Sequence, residues 1–222
     1  EPFSPAILET TVPKRFVDIV NNVADDILSS DTKSKQWDWS HKLVGKVSKE
    51  ILIPLTSEED KLYLLQIIKQ GCLDYLNYMI DKKRNNPWTR LDDANWNKKP
   101  TLNNIHLTHS WVVSQYAGDF NPLHIHDANL SGVAFLKIPP KFEEEYKKED
   151  HHPTAGCLEF LGSVPNHFAR HSYIVKPEVG DFYLFPSWLT HQVYPFRSEG
   201  ERRSMSFNVH LSLNKPVKGI NA

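Results

Sequence analysis

Pro177-Glu178-Val179-Gly180-Asp181-Phe182-Tyr183-Leu184-Phe185-Pro186-Ser187-Trp188-Leu189-Thr190-His191 is the stretch on which the fold turns. A turn signal at Pro177 to Gly180 leads into an aromatic and aliphatic run too short for a helix, and Pro186 closes it, so it reads as a buried strand that then delivers His191 to the start of the next. Earlier in the chain stands Asn121-Pro122-Leu123-His124-Ile125-His126. Two imidazoles at i and i+2 fall on one face of a strand, and a third from a returning strand can complete a facial metal site.

Working outward, the chain from about residue 104 consists of short apolar or alternating runs separated by Gly, Pro, Asn and Asp. Strands are expected at 105–115, 123–126, 132–138, 156–161, 171–175, 181–185, 191–195 and 202–213, a pattern of eight that predicts a mainly β jelly roll with flanking helices. The first hundred residues carry helical periodicity instead. One amphipathic helix is expected over 14–28, with Phe16, Ile19, Val20, Val23 and Ile27 on its apolar face, and a longer one over 57–83, capped by Thr56 or Ser57. Lys82, Lys83 and Arg84 are expected in the last turn of the longer helix, where they suit its dipole. The organisation predicted is one domain over 1–222. A helical and loop region at 1–103 buttresses a β core at 104–213, and a tail follows at 214–222.

Composition narrows the class. A chain of 222 residues, 40% hydrophobic and 24% charged, suffices for one globular core. Its formal net charge of -1 gives no footprint for nucleic acid or an anionic surface. No stretch approaches the roughly 20 apolar residues of a membrane span, and Glu1-Pro2-Phe3-Ser4 carries no basic and apolar leader pattern. Cys72 and Cys157 are too few for a disulfide scaffold, which fits a soluble, cytoplasmic setting. The charge run at 139–152 reads as a solvated loop or helix.

A chance His-x-His pair is not rare among eleven histidines; the second signal gives this one weight. Arg202 and Ser204 alternate on one face of the last strand. An arginine facing into a barrel is costly unless it meets an anion.

The ordered series His124-Ile125-His126, Leu130-Ser131-Gly132-Val133-Ala134-Phe135-Leu136, Gly180 to Pro186, His191, and Arg202-Arg203-Ser204-Met205-Ser206-Phe207-Asn208 resembles the double-stranded β-helix core of the 2-oxoglutarate- and Fe(II)-dependent oxygenases, in particular their prolyl-hydroxylase-like branch. The resemblance covers about half the chain. It implies Fe(II) on His124, His126 and His191, and 2-oxoglutarate held through its far carboxylate by Arg202 and Ser204. It further implies O2 as the oxidant and an unidentified prime substrate, with a prolyl residue of a peptide or protein as first candidate, releasing succinate and CO2. Tyr116, on the approach to the site, is a further candidate for contact with the cosubstrate.

The resemblance departs from pattern at one place. Most of the superfamily has His-x-Asp, whereas this chain has His126 followed by Asp127. Strand alternation favours His126, with Asp127 the alternative, and a third arrangement would put Ala128 in the carboxylate position and leave a coordination site open. Arg203 is the alternative anchor to Arg202. Trp111 and Trp188, although near the site, are expected to serve packing. Two other classes stay open: a three-histidine cupin acting directly on a small substrate, suggested by Gly118 before the His pair and Gly180 before Pro186 and His191, and a non-catalytic barrel binding module. Arg202 discriminates, because a 2-oxoglutarate enzyme requires such an anchor and a cupin does not.

Overall fold

A computed structural model of the chain describes residues 5–40, 46–55, 57–82, 100–147, 153–162 and 170–212. The elements run β1 (Leu8–Thr11), α1 (Lys14–Leu28), α2 (Asp31–Gln36), β2 (Lys49–Leu52), α3 (Glu58–Asp81), β3 (Ile105–Gln115), β4 (Asn121–His124), β5 (Leu130–Lys137), β6 (Leu158–Leu161), β7 (Ser172–Val175), β8 (Asp181–Pro186), β9 (Thr190–Val193) and β10 (Arg202–Leu211). The strands form two antiparallel sheets, ordered β1-β8-β5-β10-β3-β2 and β4-β9-β6-β7. This is the double-stranded β-helix predicted from the strand pattern. β1 and β2 extend the larger sheet at its two edges and were not foreseen.

Alternation along the central strands explains the layering. From β8, Phe182 and Leu184 join Ala134, Met205 and Val209 in a core shared with Val20 and Ala24 of α1 and Leu64, Ile68 and Leu76 of α3. Tyr183 and Phe185, one residue out of phase, join Val133 and Phe135 of β5 against Leu158, Phe160 and Val175 of the smaller sheet. Side chains of a strand point alternately to its two faces, so one apolar run serves both cores. Each fully buried Phe or Leu contributes about 1.5–3 kcal/mol.

α1 occupies the predicted span. α3 starts where Ser57 Oγ accepts the Asp60 backbone N–H at 3.3 Å, with Glu58, Glu59 and Asp60 in the positive first turn. It ends at Asp81 with Lys82 as its cap and no basic residue in its last turn; the expected positions 83 and 84 lie outside the described residues, as do the segment 83–99 and the tail 214–222. Of the charge run at 139–152, the described part, 139–147, is only partly solvated. Residues Phe142–Lys147 form a 3-10 helix in which Phe142 and Glu145 are buried, and Glu145 accepts from Arg197 N–H and Ser198 Oγ. Among the described residues no helix is long and apolar enough to cross a membrane.

Candidate active site

Between the two sheets, at one end of the barrel, a cavity is lined by His124, His126, His191, Trp111, Gln115, Asn121, Arg202 and Ser204. β4 and β9 bring His124 and His191 opposite one another as directly paired residues. β4 ends at His124, so His126 does not reach the cavity by strand alternation as the sequence reading assumed. It turns in from the following loop, which is pinned by the His126 N–H donating to Ser187 O at 2.9 Å. Asp127, one residue on, is exposed and stands outside the cluster.

The three imidazoles offer ligand atoms that all lie within 4.8 Å of one another. His124 Nδ1–H donates to Pro122 O at 2.7 Å and His191 Nδ1–H to Leu189 O at 2.8 Å, each two residues back in the chain. That tautomer leaves both Nε2 lone pairs free for a cation. His126 Nε2 and His191 Nε2 stand 3.2 Å apart. Two imidazole nitrogens each about 2.1 Å from one ion and at right angles would be roughly 3 Å apart, so the spacing suits shared coordination. Burial pushes His191 down to about 3 and His126 to about 4, and lowers His124 as well. All three rings are therefore neutral at ordinary pH, the form a metal requires.

Deeper in the same cavity, β10 and β3 pair in the register Arg202↔Gln115, Ser204↔Val113 and Ser206↔Trp111. Arg202 is 1% exposed. Its Nε–H donates to Gly156 O at 2.9 Å, its Nη1 to Gln115 Oε1 at 2.6 Å, and the guanidinium lies 5.0 Å from the centre of the Phe135 ring. Burial lowers its pKa to about 10, which still leaves it cationic at neutral pH. Among the described residues it has no carboxylate partner. Cys157 and Tyr146 are the ionisable groups nearest in effect, and burial raises both, so neither carries a compensating charge. A buried cation held by neutral acceptors alone calls for an anionic ligand.

Arg203 faces the other way. It is bound by Glu201 at 2.6 Å and Asp25 at 2.7 Å on the helix-covered side of the sheet, so its charge is already met. Tyr116 is set apart from the cavity: it is 42% exposed and falls under the influence of Glu201, Arg203, Asp119 and Asp25. Gln115, its neighbour, is the inward residue that sequence reasoning passed over. Asn121 was also missed. Gln115 Nε2 and Asn121 Oδ1 are buried with no hydrogen-bond partner among the described residues, one a donor and one an acceptor. Trp188, expected to pack, is 56% exposed, whereas Trp111 is buried 5.8 Å from the His126 ring.

Residues 109–208 match the family described as "Putative 2OG-Fe(II) oxygenase". No curated protein matches the sequence. Among solved structures, a prolyl-4-hydroxylase from Pseudomonas putida is 15% identical, with 94% of each chain covered and a TM-score of 0.54. A viral collagen prolyl hydroxylase from Paramecium Bursaria Chlorella virus-1, solved with 2OG, is 12% identical over 93% of this chain and 96% of its own, with a TM-score of 0.50. SnoN, a non-heme alpha ketoglutarate dependent epimerase from nogalamycin biosynthesis, is 12% identical over 94% of this chain and 79% of its own, with a TM-score of 0.58. The matched segment contains the three histidines and Arg202, and the fold agrees over nearly the whole chain. Residues 109–208 are thus similar to the 2-oxoglutarate- and Fe(II)-dependent oxygenases, and the chain shares the fold of these solved structures.

Proposed function

We propose that the chain is a hydroxylase in which His124, His126 and His191 hold Fe(II), while Arg202 and Ser204 hold the far carboxylate of 2-oxoglutarate. With O2, this metal and keto acid supply an oxidant strong enough for an unactivated C–H bond, releasing succinate and CO2. The observation that carries the reading is the buried, uncompensated guanidinium of Arg202 in one cavity with three neutral, converging imidazoles. A cupin acting directly on its substrate would have no use for that cation.

The chain's own residues do the positioning. Gly156 O and Gln115 Oε1 fix the plane of the guanidinium, so that its remaining N–H groups can meet a carboxylate in two-point fashion. Phe135 and Phe185 close the cavity wall with apolar surface, which keeps water from competing for the charge. His126 replaces the usual carboxylate, so the protein lends the metal no negative charge from this triad.

For the prime substrate, a prolyl residue is the first candidate. Two structurally similar enzymes are prolyl hydroxylases by name, and exposed Leu123 and Ile125 flank His124 in sequence, offering apolar surface for an uncharged aliphatic ring. The same fold also serves an epimerase, so the fold does not choose the substrate.

The test is an anaerobic titration of Fe(II)-loaded protein with 2-oxoglutarate, followed by the weak visible band of an iron-chelated keto acid. A saturable band that disappears in Arg202→Ala is expected. Confirmed iron binding without a band would overturn the cosubstrate assignment in favour of the cupin reading. Succinate release stimulated by a prolyl peptide, and not by the same peptide with alanine at that position, tests the substrate.

A further inference from the structure

Arg202 and Gln115 are paired across β10 and β3, and the chemistry of that pair is asymmetric. A guanidinium offers only donors, so the Gln115 amide must turn its oxygen toward Arg202, as the 2.6 Å bond to Nη1 shows. The amide nitrogen is thereby forced away from Arg202. It is buried, it lacks any partner among the described residues, and its residue lines the same cavity as Ser204 and the histidines. Leaving a buried amide donor unpaired is costly unless something outside the chain completes it.

The choice of an amide at position 115 is itself informative. Glutamate has the same length and would hold Arg202 equally well through the same oxygen, while also neutralising it. Glutamine orients the guanidinium and leaves the charge open. Gly156 O, the second acceptor, is likewise neutral.

Resting on the cosubstrate reading above, we propose that Gln115 is a cosubstrate-binding and selectivity residue, whose Nε2–H joins Arg202 on the far carboxylate of 2-oxoglutarate and whose neutrality reserves Arg202 for that carboxylate. The site thus recognises the anion with a charge and an amide donor from adjacent strands, held in fixed relation by their register.

Calorimetric titration of Mn(II)-loaded protein with 2-oxoglutarate tests this, together with thermal unfolding of the metal-free protein. Gln115→Glu places a carboxylate against Arg202. It is expected to bind Mn(II) like the wild type, to unfold at a higher temperature, and to lose affinity for 2-oxoglutarate by roughly 100-fold or more, because the ligand now meets a neutralised and repulsive site. Gln115→Leu adds no charge and is expected to weaken 2-oxoglutarate binding by roughly tenfold. Wild-type affinity in either variant overturns the inference about Gln115 alone. Wild-type protein that binds Mn(II) but not 2-oxoglutarate overturns the underlying reading with it.

Discussion

At the scale of single residues, the candidate site divides into three neutral, converging imidazoles and one buried charge in the same cavity. His191 is the most enclosed of the three histidines, 5% exposed, with its ring held by Leu189 O and flanked by Phe160 and Phe185. Removing it leaves two ligands and an apolar gap. His191→Ala is expected to abolish stoichiometric Fe(II) binding and iron-dependent succinate formation; retained turnover would move the metal elsewhere. Arg202 carries a different load. Arg202→Ala is expected to raise the apparent KM for 2-oxoglutarate by roughly 100-fold or more, with little change in that for the prime substrate, because only the far carboxylate uses the guanidinium. Arg202→Lys keeps the charge but cannot make the bonds to Gly156 O and Gln115 Oε1 in one plane, so only part of the affinity should return. Initial-rate kinetics with each substrate varied separately distinguish these outcomes. An equal effect on both KM values would mean that Arg202 shapes the cavity rather than binding the keto acid.

At the scale of elements, the turn that enters β6 shows how backbone geometry reaches the site. Gly156 adopts φ +62°, and a Cβ there would lie 2.3 Å from the Phe142 ring, which is buried against Phe196. Its carbonyl is one of the two acceptors holding Arg202. Gly156→Ala is therefore expected to cost about 2–3 kcal/mol through the left-handed backbone and the displaced ring. It should also weaken 2-oxoglutarate binding, because the same shift turns the carbonyl from Arg202. Urea unfolding and a binding titration would measure the two losses, and a stability loss with unchanged binding would separate the turn from the site. The elements that the sequence made legible are those with strong local patterning. The run from Asp181 to Phe185 and the terminal strand beginning at Arg202 are found as expected, because apolar runs bounded by Gly and Pro admit few other readings. β1 and β2 escaped notice for the converse reason. Leu8-Glu9-Thr10-Thr11 and Lys49-Glu50-Ile51-Leu52 are short and half polar, and only pairing with β8 and β3 makes them strands. The same limit applies within the site. The His-x-His spacing named two residues that the structure brings together with His191, but on a wrong local basis, since His126 sits past the strand end, and Gln115 became visible only through its cross-strand pairing with Arg202.

At the scale of the whole molecule, the larger sheet is extended past β3 by β2, and that extension places a carboxyl where the fold can least accommodate one. Glu50 pairs in register with Val113, a residue of the cavity wall, and is fully buried with neither oxygen hydrogen-bonded among the described residues. Burial pushes its pKa up to about 8. The nearby Trp111 indole N–H eases this without completing a bond, and Asp38 adds repulsion. The consequence for stability has a definite sign. Below about pH 4.5, Glu50 is protonated in both the folded and unfolded chain and has no differential effect. Between about pH 4.5 and 8 the unfolded carboxyl ionises while the folded one keeps its proton, so stability falls as pH rises, and the loss is complete above about pH 8. Glu50→Gln removes the titration while keeping the size of the side chain. It is expected to match the wild type near pH 4.5 and to become more stable with rising pH, by an amount on the order of a few kcal/mol at pH 8. Denaturant unfolding of both proteins across this range gives the difference directly. A gain that is constant with pH would mean that Glu50 is ionised throughout in the folded protein. A loss at every pH would mean that the carboxyl is held by contacts that the amide cannot replace. The pH-dependent gain would instead mark β2 as an extension kept at a cost in stability, with that cost placed beside Trp111, which lines the candidate site.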